Sequence, residues 1–374
     1  MARSAPTVPA APSLAATLGR KALVLVAVGV GGVVATLGLK LAGAGDVMIF
    51  AFAAITLAGL AGLVGEATDQ LGGKLGPGTT GVLQSALGNL PELFISLFAL
   101  REGLVVLVQT ALIGSILGNS LLVLGLAFLA GGLKHGHQTF DPGPVRTIAV
   151  ILVLAVASLA IPAIATAPGA PDQGHAVEFS VFVSVVLLVI FAASIPYSLK
   201  GGPGASELAG AQEGANAWSM KLAVVVLAGA AVGAAVVSDW FVQALRPAMA
   251  TLGVSEAFVG LVVVAIAGNA VENVAGIQAA MRNRTDLAIS LIQNSSLQVA
   301  IALTPALVLA SLFVSPVPMT LVLEPTLLGA LALSAILGAF VVFDGESTWL
   351  EGLMLLGLYV IIAASVWYGP RVTI

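Results

Sequence analysis

The chain has 374 residues, of which 59% are hydrophobic and 9% charged, and its formal net charge is −4. Soluble domains carry about 25% charged residues, so this composition, with a mean hydropathy of +1.09, indicates a membrane protein. The small net charge argues against a nucleic-acid partner, and the lack of cysteine excludes disulfides, thiolate metal sites and cysteine nucleophiles.

The apolar runs predict an all-α integral membrane protein embedded in a lipid bilayer. A spanning helix needs about 20 predominantly apolar residues, and by this criterion we expect about 11 transmembrane helices. The predicted spans are 22–42, 47–64, 80–100, 104–132, 145–166, 176–198, 219–243, 256–280, 286–313, 320–342 and 349–369. Residues 1–20 are rich in Ala, Pro and Ser and show no cleavage site, which predicts a disordered tail rather than a signal peptide.

The lysines and arginines predict the orientation, because they concentrate in cytoplasmic loops. With 11 spans, the side of the N-terminal tail holds Arg3, Arg20, Lys21, Lys74, Lys134, Arg146, Lys200, Lys221, Arg282 and Arg284. The other side holds Lys40, Arg101, Arg246 and Arg371. We therefore expect a cytoplasmic N-terminus and an outside C-terminus in the cell (inner) membrane.

An internal repeat organises the chain. The motif GNLPE at 88–92 returns as GNAVE at 268–272, and Ser115 matches Ser295 at the same offset. This predicts an extra helix at 21–42, a five-helix repeat at 43–199, a cytoplasmic linker at 200–218 and a second five-helix repeat at 219–374. Because five is odd, the repeats must be inverted relative to each other, and such transporters bind their substrate between the repeats near the midplane.

Each copy of the motif places polar side chains on one face of an apolar helix. These are Ser85, Asn89, Glu92 and Ser96 in the first copy and Asn269, Glu272 and Asn273 in the second. The next span of each half contains a polar break, with Ser115 and Asn119 in the first and Gln293, Asn294, Ser295, Ser296 and Gln298 in the second. The Gly–Asn pairs and Pro91 favour loosened or kinked helices.

Two carboxylates with neutral oxygens suit a hard cation such as calcium. Without a cation, Glu92 and Glu272 would face each other in a low dielectric and would tend to bind protons. The pair can therefore hold a divalent ion or protons, and this competition is sufficient for antiport. A lone buried glutamate can also be a neutral hydrogen-bonded group, but ionisable residues at membrane depth are mostly functional. The serines have a second interpretation as small residues that let helices pack closely.

Other polar residues lie near the span ends. Asp69 and Asp239 follow Thr68 and Ser238 at similar places in the two halves and could line an access funnel. His135 and His137 are most simply residues of a solvated loop. The sequence contains no phosphate-binding loop and no HExxH motif.

The motifs resemble those of calcium/proton antiporters of the CAX family, within the calcium/cation antiporter superfamily. The similarity covers nearly the whole chain beyond the tail and is carried by ALGNLPELFISLFALREG, ALIGSILGNSLLVLGLAFLAGGL, SEAFVGLVVVAIAGNAVENVAGIQAAMRNRTDLAIS, SSLQVAIALTPALVL and DGESTWLEGLMLLGLYVI. The resemblance implies that Glu92 and Glu272 form the shared calcium and proton site, with Asn89 and Asn269 beside them. It also implies that Asn119 and Gln298 are polar neighbours, and that Gln298, in place of a carboxylate, favours proton over sodium coupling.

This chain departs from the family pattern at three places. Pro91 replaces a small or hydroxylated residue, Asn294 replaces a glycine, and 200–217 has only Glu207 and Glu213 where the family has an acidic helix. A calcium-sensing role for this linker is therefore in doubt.

The sequence predicts a secondary transporter that exchanges cytoplasmic calcium for external protons by alternating access, with calcium as substrate and no cofactor. Three alternatives stay open at this point. They are a sodium, potassium or other divalent cation/proton exchanger of the same fold, a cation channel, and an intramembrane enzyme. The enzyme is disfavoured because the motifs contain no nucleophile–base pair and no histidine-based metal site. Stoichiometry, affinity and oligomeric state do not follow from the sequence.

Overall fold

A computed structural model describes residues 14–75, 87–170, 172–199 and 218–367. The described chain is helical apart from its loops and one short antiparallel ribbon. We number the helices in chain order: α1 Leu14–Leu41, α2 Asp46–Leu75, α3 Leu90–Arg101, α4 Val105–His135, α5 Pro142–Ala165, α6 Ala176–Leu199, α7 Met220–Leu252, α8 Glu256–Gly268, α9 Ala270–Met281, α10 Thr285–Val314, α11 Pro325–Val341 and α12 Trp349–Trp367. The ribbon pairs β1 (Gln138–Thr139) with β2 (Glu346–Ser347).

Three of the described helices contain a π-helical turn. These turns are Gly118–Val123 in α4, Val259–Val264 in α8 and Val299–Leu303 in α10. A π turn inserts one extra residue and rotates the side chains that follow it, and such turns occur frequently at functional sites.

The all-α membrane class predicted from the sequence is confirmed. Within the described residues, eight helices are long and apolar enough to cross a membrane, and α8 with α9, which bend by 63° at their junction, form a ninth candidate. Helix α11 is shorter but apolar. The count of about 11 stays a prediction, since the expected span 80–100 includes residues 80–86, which lie outside the described part of the chain.

The predicted disordered tail is too long at its C-terminal end. Helix α1 begins at Leu14, and its backbone leaves helical geometry only at Gly19, which has a φ of 77°. Leu18 and Ala22 pack in a small buried cluster with Trp218, and the indole Nε1 of Trp218 donates to the carbonyl oxygen of Leu18 at 3.4 Å. This contact with a residue 200 positions away orders a segment whose composition suggested disorder. Residues 1–13 lie outside the described part of the chain.

The helix pair α4–α8 crosses with backbones nearly in contact. At Gly114 an added Cβ would lie 2.7 Å from the carbonyl carbon of Leu261, and at Gly260 it would lie 2.6 Å from the carbonyl oxygen of Leu107. The Glu256 carboxylate also accepts a hydrogen bond from the Leu107 amide at 2.9 Å, which satisfies a free donor in the first turn of α4. This crossing brings Ser115 of α4 close to the C-terminal end of α8.

Helix α9 is fixed at its C-terminal end by residues in the last turn of α4 and directly after it. The amide of Gln138 donates to Ala280 O at 3.0 Å and to Asn283 Oδ1 at 2.8 Å. The Lys134 ammonium donates to Met281 O at 2.8 Å. A cation near the last carbonyls of a helix is favourable, so these contacts stabilise the position of α9.

The two motif copies have matching backbones. Asn89 (φ −92°, ψ 17°) and Asn269 (φ −97°, ψ 15°) each precede a helix of 12 residues, and neither caps it with its side chain. The next helix of each half, α4 or α10, contains a π turn. These similarities support the predicted repeat, while its inverted arrangement and the boundaries 43–199 and 219–374 stay predictions.

The close α4–α8 contact predicts a difference between two glycines of α4. Gly114→Ala should destabilise the protein by about 1–3 kcal/mol, because the new methyl group overlaps the Leu261 backbone. Gly118→Ala is the matched control, since an added Cβ there meets no heavy atom within 4 Å. Thermal unfolding of both purified variants in detergent measures the difference, and equal midpoints would contradict the close crossing.

Candidate functional site

The motif helices α3 and α9 are short, and each carries its motif glutamate position in its first turn. Glu92 lies nine residues before Arg101, and Glu272 lies nine residues before Met281. At 1.5 Å per residue each glutamate is roughly 14 Å from the end of its helix, about half the thickness of a hydrocarbon core of ~30 Å. This distance agrees with the midplane position expected for a site between inverted repeats. The Glu272 side chain lies outside the described part of the structure.

Glu92 is buried, and its two carboxylate oxygens have different surroundings. Its side chain is 5% exposed. The Ser115 hydroxyl and the Asn269 amide nitrogen each donate to Oε1 at 2.6 Å. No described residue provides a hydrogen-bond partner for Oε2, which is also buried. An anionic oxygen without a partner at this depth is unfavourable unless a proton or a cation neutralises it.

Asn269 presents its amide nitrogen to Glu92. Besides the Glu92 oxygen, Nδ2 donates to the carbonyl oxygen of Ala265 at 3.0 Å and contacts the Ser115 hydroxyl. The Glu92 carboxylate and the Ala265 carbonyl only accept hydrogen bonds, so their positions determine which end of the amide faces them. The opposite end, Oδ1, accepts from the Ser295 hydroxyl at 3.3 Å.

The polar breaks of α4 and α10 extend this network. Asn119, in the π turn of α4, donates from Nδ2 to Ser295 Oγ at 3.0 Å. One residue further along each helix, the hydroxyls of Ser120 and Ser296 lie 3.5 Å apart. The structure thus joins both motif copies and both polar breaks in one buried network.

Gly268 makes room for the Glu92 side chain. A Cβ at this position would overlap Glu92 Cγ and would lie 2.9 Å from Oε1. The first residue of the second GNxxE motif is therefore needed for the approach of the glutamate of the first motif.

The remaining predicted residues lie outside this set of contacts. Asn89 is buried at the start of α3, and Gln298 is half-buried directly before the π turn of α10. Ser85 lies outside the described residues. The roles of all predicted site residues, including calcium binding by Asn89 and Asn269, stay predictions.

The two aspartates proposed for an access funnel lie towards opposite ends of α1. Asp69 is one turn from Glu66, whose carboxylate pairs with Lys21 at the start of α1 at 2.8 Å. Asp239 accepts from Gln243 at 2.7 Å, and Gln243 accepts from Lys40 at the end of α1 at 2.6 Å. They do not form one site, and a role of either in ion access stays a prediction.

Three features of the site do not follow from the motifs. The π turns, the donor orientation of Asn269 and the close approach at Gly268 all depend on contacts between distant segments. The glycine of each GNxxE permits a close approach as well as a loosened helix, but the motif alone does not indicate which group approaches. In addition, Gln293 Oε1 and Asn273 Oδ1 are buried without a partner among the described residues.

The site is poor in ligands that bind transition metals. The described residues contain no group of three or more His, Asp or Glu side chains that could hold a metal ion. The available groups are one described carboxylate, amides and hydroxyls, which suit a hard cation or a proton.

The Gly268 contact predicts a selective loss of cation binding. Gly268→Ala should displace the Glu92 carboxylate from the cation position, and a lost contact with a charged group, worth about 1.5–3 kcal/mol, raises the half-saturating calcium concentration at least about tenfold. Gly229→Ala, on α7, is the control because its Cβ meets open space. Calcium binding to the purified variants provides the measurement. Unchanged binding by Gly268→Ala would contradict a role of Glu92 in the cation site.

Comparison with known proteins shows the family. The family model described as sodium/calcium exchanger protein matches residues 46–200 and 222–368. The Ca(2+)/H(+) antiporter ChaA of Bacillus subtilis (strain 168) is 35% identical over 323 residues, which cover 84% of this chain and 91% of that protein. The Ca(2+)/H(+) antiporter of Synechocystis sp. is 32% identical over 351 residues, covering 88% and 93%.

Solved structures agree with this result. Native YfkE has a TM-score of 0.79 at 31% identity, covering 92% of this chain and 99% of that one. The H+/Ca2+ exchanger CAX has a TM-score of 0.71 at 15% identity, covering 92% and 90%, which shows the shared fold. The resemblance stated from the motifs is confirmed: the chain belongs to the sodium/calcium exchanger family, among its calcium/proton antiporters of the CAX type.

Proposed function

We propose that this protein exchanges calcium for protons across a membrane, at a site formed by Glu92 and Glu272 with Asn89 and Asn269. The relatives reported above are named as antiporters of calcium and protons, which supports transport rather than enzymatic catalysis. Calcium is the transported substrate, and the proposal requires no cofactor.

One observation carries the proposal. Glu92 is buried, and its Oε2 has no partner among the described residues. A group in this condition gains strongly from binding either a proton or a cation, and it can bind only one of them well. Two such carboxylates would balance the charge of a calcium ion, and two protons would neutralise them in its absence.

The contacts of Glu92 connect this chemistry to a conformational change. The carboxylate belongs to the first half of the chain, and one of its two donors, Asn269, belongs to the second half. A rearrangement of the halves therefore changes the surroundings of the carboxylate. Transporters built from repeats expose a midplane site alternately to the two sides in this way.

The excess of Lys and Arg on the side of the N-terminal tail supports a cytoplasmic N-terminus. In a cell membrane with protons more concentrated outside, proton entry would drive calcium out of the cytoplasm. The Asn and Gln side chains of the polar breaks contribute no further carboxylate, which supports protons rather than sodium as the coupling ion.

The paired-glutamate site predicts the loss of exchange in two variants. Glu92→Gln and Glu272→Gln should each reduce calcium uptake driven by a pH gradient to the level of vesicles without the protein. A glutamine cannot carry a proton across or balance the charge of calcium. Uptake into everted vesicles, with sodium and potassium gradients as separate drivers, provides the measurement.

Glu178→Gln is the control for a general effect of charge removal, because Glu178 is exposed in the first turn of α6. Retained pH-driven uptake by either site variant would contradict the paired site. Uptake driven equally well by sodium would instead contradict the coupling ion, and downhill calcium flux without any coupling would indicate a channel.

The proposed orientation predicts from which side of the membrane a single introduced cysteine can be labelled. The label reports only the introduced position, because the chain has no cysteine of its own. Ser206→Cys, in the linker between α6 and α7, should react with a membrane-impermeant maleimide only in everted vesicles. Ala170→Cys, between α5 and α6, should react only in right-side-out cells. The reverse labelling pattern would indicate the opposite orientation in the membrane. Labelling of both positions from the same side would contradict the predicted order of spans.

A further inference from the structure

We infer that Asn119 and Ser295 control which end of the Asn269 amide faces Glu92, and that they thereby set the affinity for calcium. This inference rests on the proposed calcium/proton exchange. It is carried by a chain of three hydrogen bonds, in which Asn119 donates to Ser295, Ser295 donates to Asn269 Oδ1, and Asn269 Nδ2 donates to Glu92.

The observed orientation of Asn269 is the one that suits a cation-free carboxylate. Its Nδ2 faces two groups that only accept, Glu92 Oε1 and Ala265 O. Calcium binds oxygen and is repelled by an N–H group, so Asn269 can be a calcium ligand only after its amide turns by about 180°. After that turn Oδ1 would face the cation beside Glu92, and Nδ2 would face Ser295.

Ser295 can serve both orientations because a hydroxyl both donates and accepts. In the observed one, its hydrogen is donated to Asn269 Oδ1. In the turned one, its oxygen would accept from Asn269 Nδ2, and its hydrogen would go to a carbonyl one turn earlier in α10, as serines in helices commonly do.

Asn119 makes these two orientations unequal. It already donates to Ser295 Oγ. A hydroxyl that accepts one hydrogen bond becomes a stronger donor through polarisation, which strengthens the Ser295–Asn269 bond of the observed orientation. The same oxygen is a poorer acceptor for a second N–H group, which weakens the turned orientation. Asn119 is therefore a positioning residue that favours the cation-free arrangement and promotes calcium release.

The position of Asn119 in α4 also explains why it can reach Ser295. It is the second residue of the π turn Gly118–Val123, and the extra residue of this turn rotates the side chains of α4 relative to a regular helix. Asn119 is buried, so water does not compete for its amide.

Removing the Asn119 donor should therefore tighten calcium binding. We expect Asn119→Ala and Asn119→Val to lower the half-saturating calcium concentration about threefold to tenfold, the range for one redirected hydrogen bond. The maximal exchange rate should fall or stay unchanged, because the Asn119 side chain no longer promotes the release of calcium. Calcium titrations of purified protein and initial rates in proteoliposomes measure the two quantities, and valine excludes a water that could replace the lost donor in the alanine variant.

Thr110→Val is the matched control. Thr110 lies on the same helix α4 and is also buried, but its hydroxyl donates to the carbonyl oxygens of Val106 and Leu107 within that helix and takes no part in the network. Its calcium affinity should equal that of the unmodified protein. Weaker calcium binding by both Asn119 variants would overturn the inference and would make Asn119 a direct ligand, whereas structural damage alone cannot raise affinity.

A double-mutant cycle tests whether Asn119 acts through Ser295. In a Ser295→Ala background, Asn119→Ala should cause no further change in calcium affinity, because the relay is already interrupted. Additive effects would overturn the relay. Failure of the unmodified protein to exchange calcium for protons would refute the proposed function itself, while normal exchange with unchanged affinity in the Asn119 variants would refute only this inference.

Discussion

The structure depends on one unfavourable interaction, the burial of a carboxylate whose Oε2 has no described partner. Burying a charge without full compensation costs several kcal/mol, so the surrounding fold must both tolerate and limit this cost. It does so with two short donors on Oε1, from Ser115 and Asn269. The hydrogen bonds to Oε1 keep the Glu92 side chain in place. Oε2, which has no hydrogen-bond partner among the described residues, retains the capacity to bind an ion.

The broken helices serve the same purpose. Because α3 begins at Leu90, Glu92 lies in its first turn, where the positive end of the helix dipole favours an anion. An unbroken span would have provided no free amide groups at the midplane, since each would be bonded within the helix. The break therefore reduces the cost of the charged carboxylate without adding a formal positive charge that would repel calcium.

The sequence was sufficient to predict much of this arrangement, and its limits have physical causes. The periodicity of apolar residues indicated the membrane class, and the doubled GNxxE led to Glu92, Ser115 and Asn269, which the structure brings into contact. The orientation of the Asn269 amide depends on Glu92 and Ser115 as well as on the nearby Ala265 carbonyl, and the group that Gly268 approaches is Glu92. Glu92 and Ser115 lie more than 150 positions away in the sequence, so no local pattern encodes these contacts. The start of α1 was mispredicted for the same reason, since the distant residue Trp218 packs against it.

The packing of α4 against α8 limits how the site can change. At Gly114 and Gly260 the two backbones are so close that neither helix can slide along the other without overlap of main-chain atoms. Ser115 and Asn269, which lie beside this crossing, should therefore stay together in every state. Glu92 belongs to α3, which takes no part in the close contacts at Gly114 and Gly260. Any movement that opens the site to one side of the membrane must then change the position of Glu92 relative to Ser115 and Asn269.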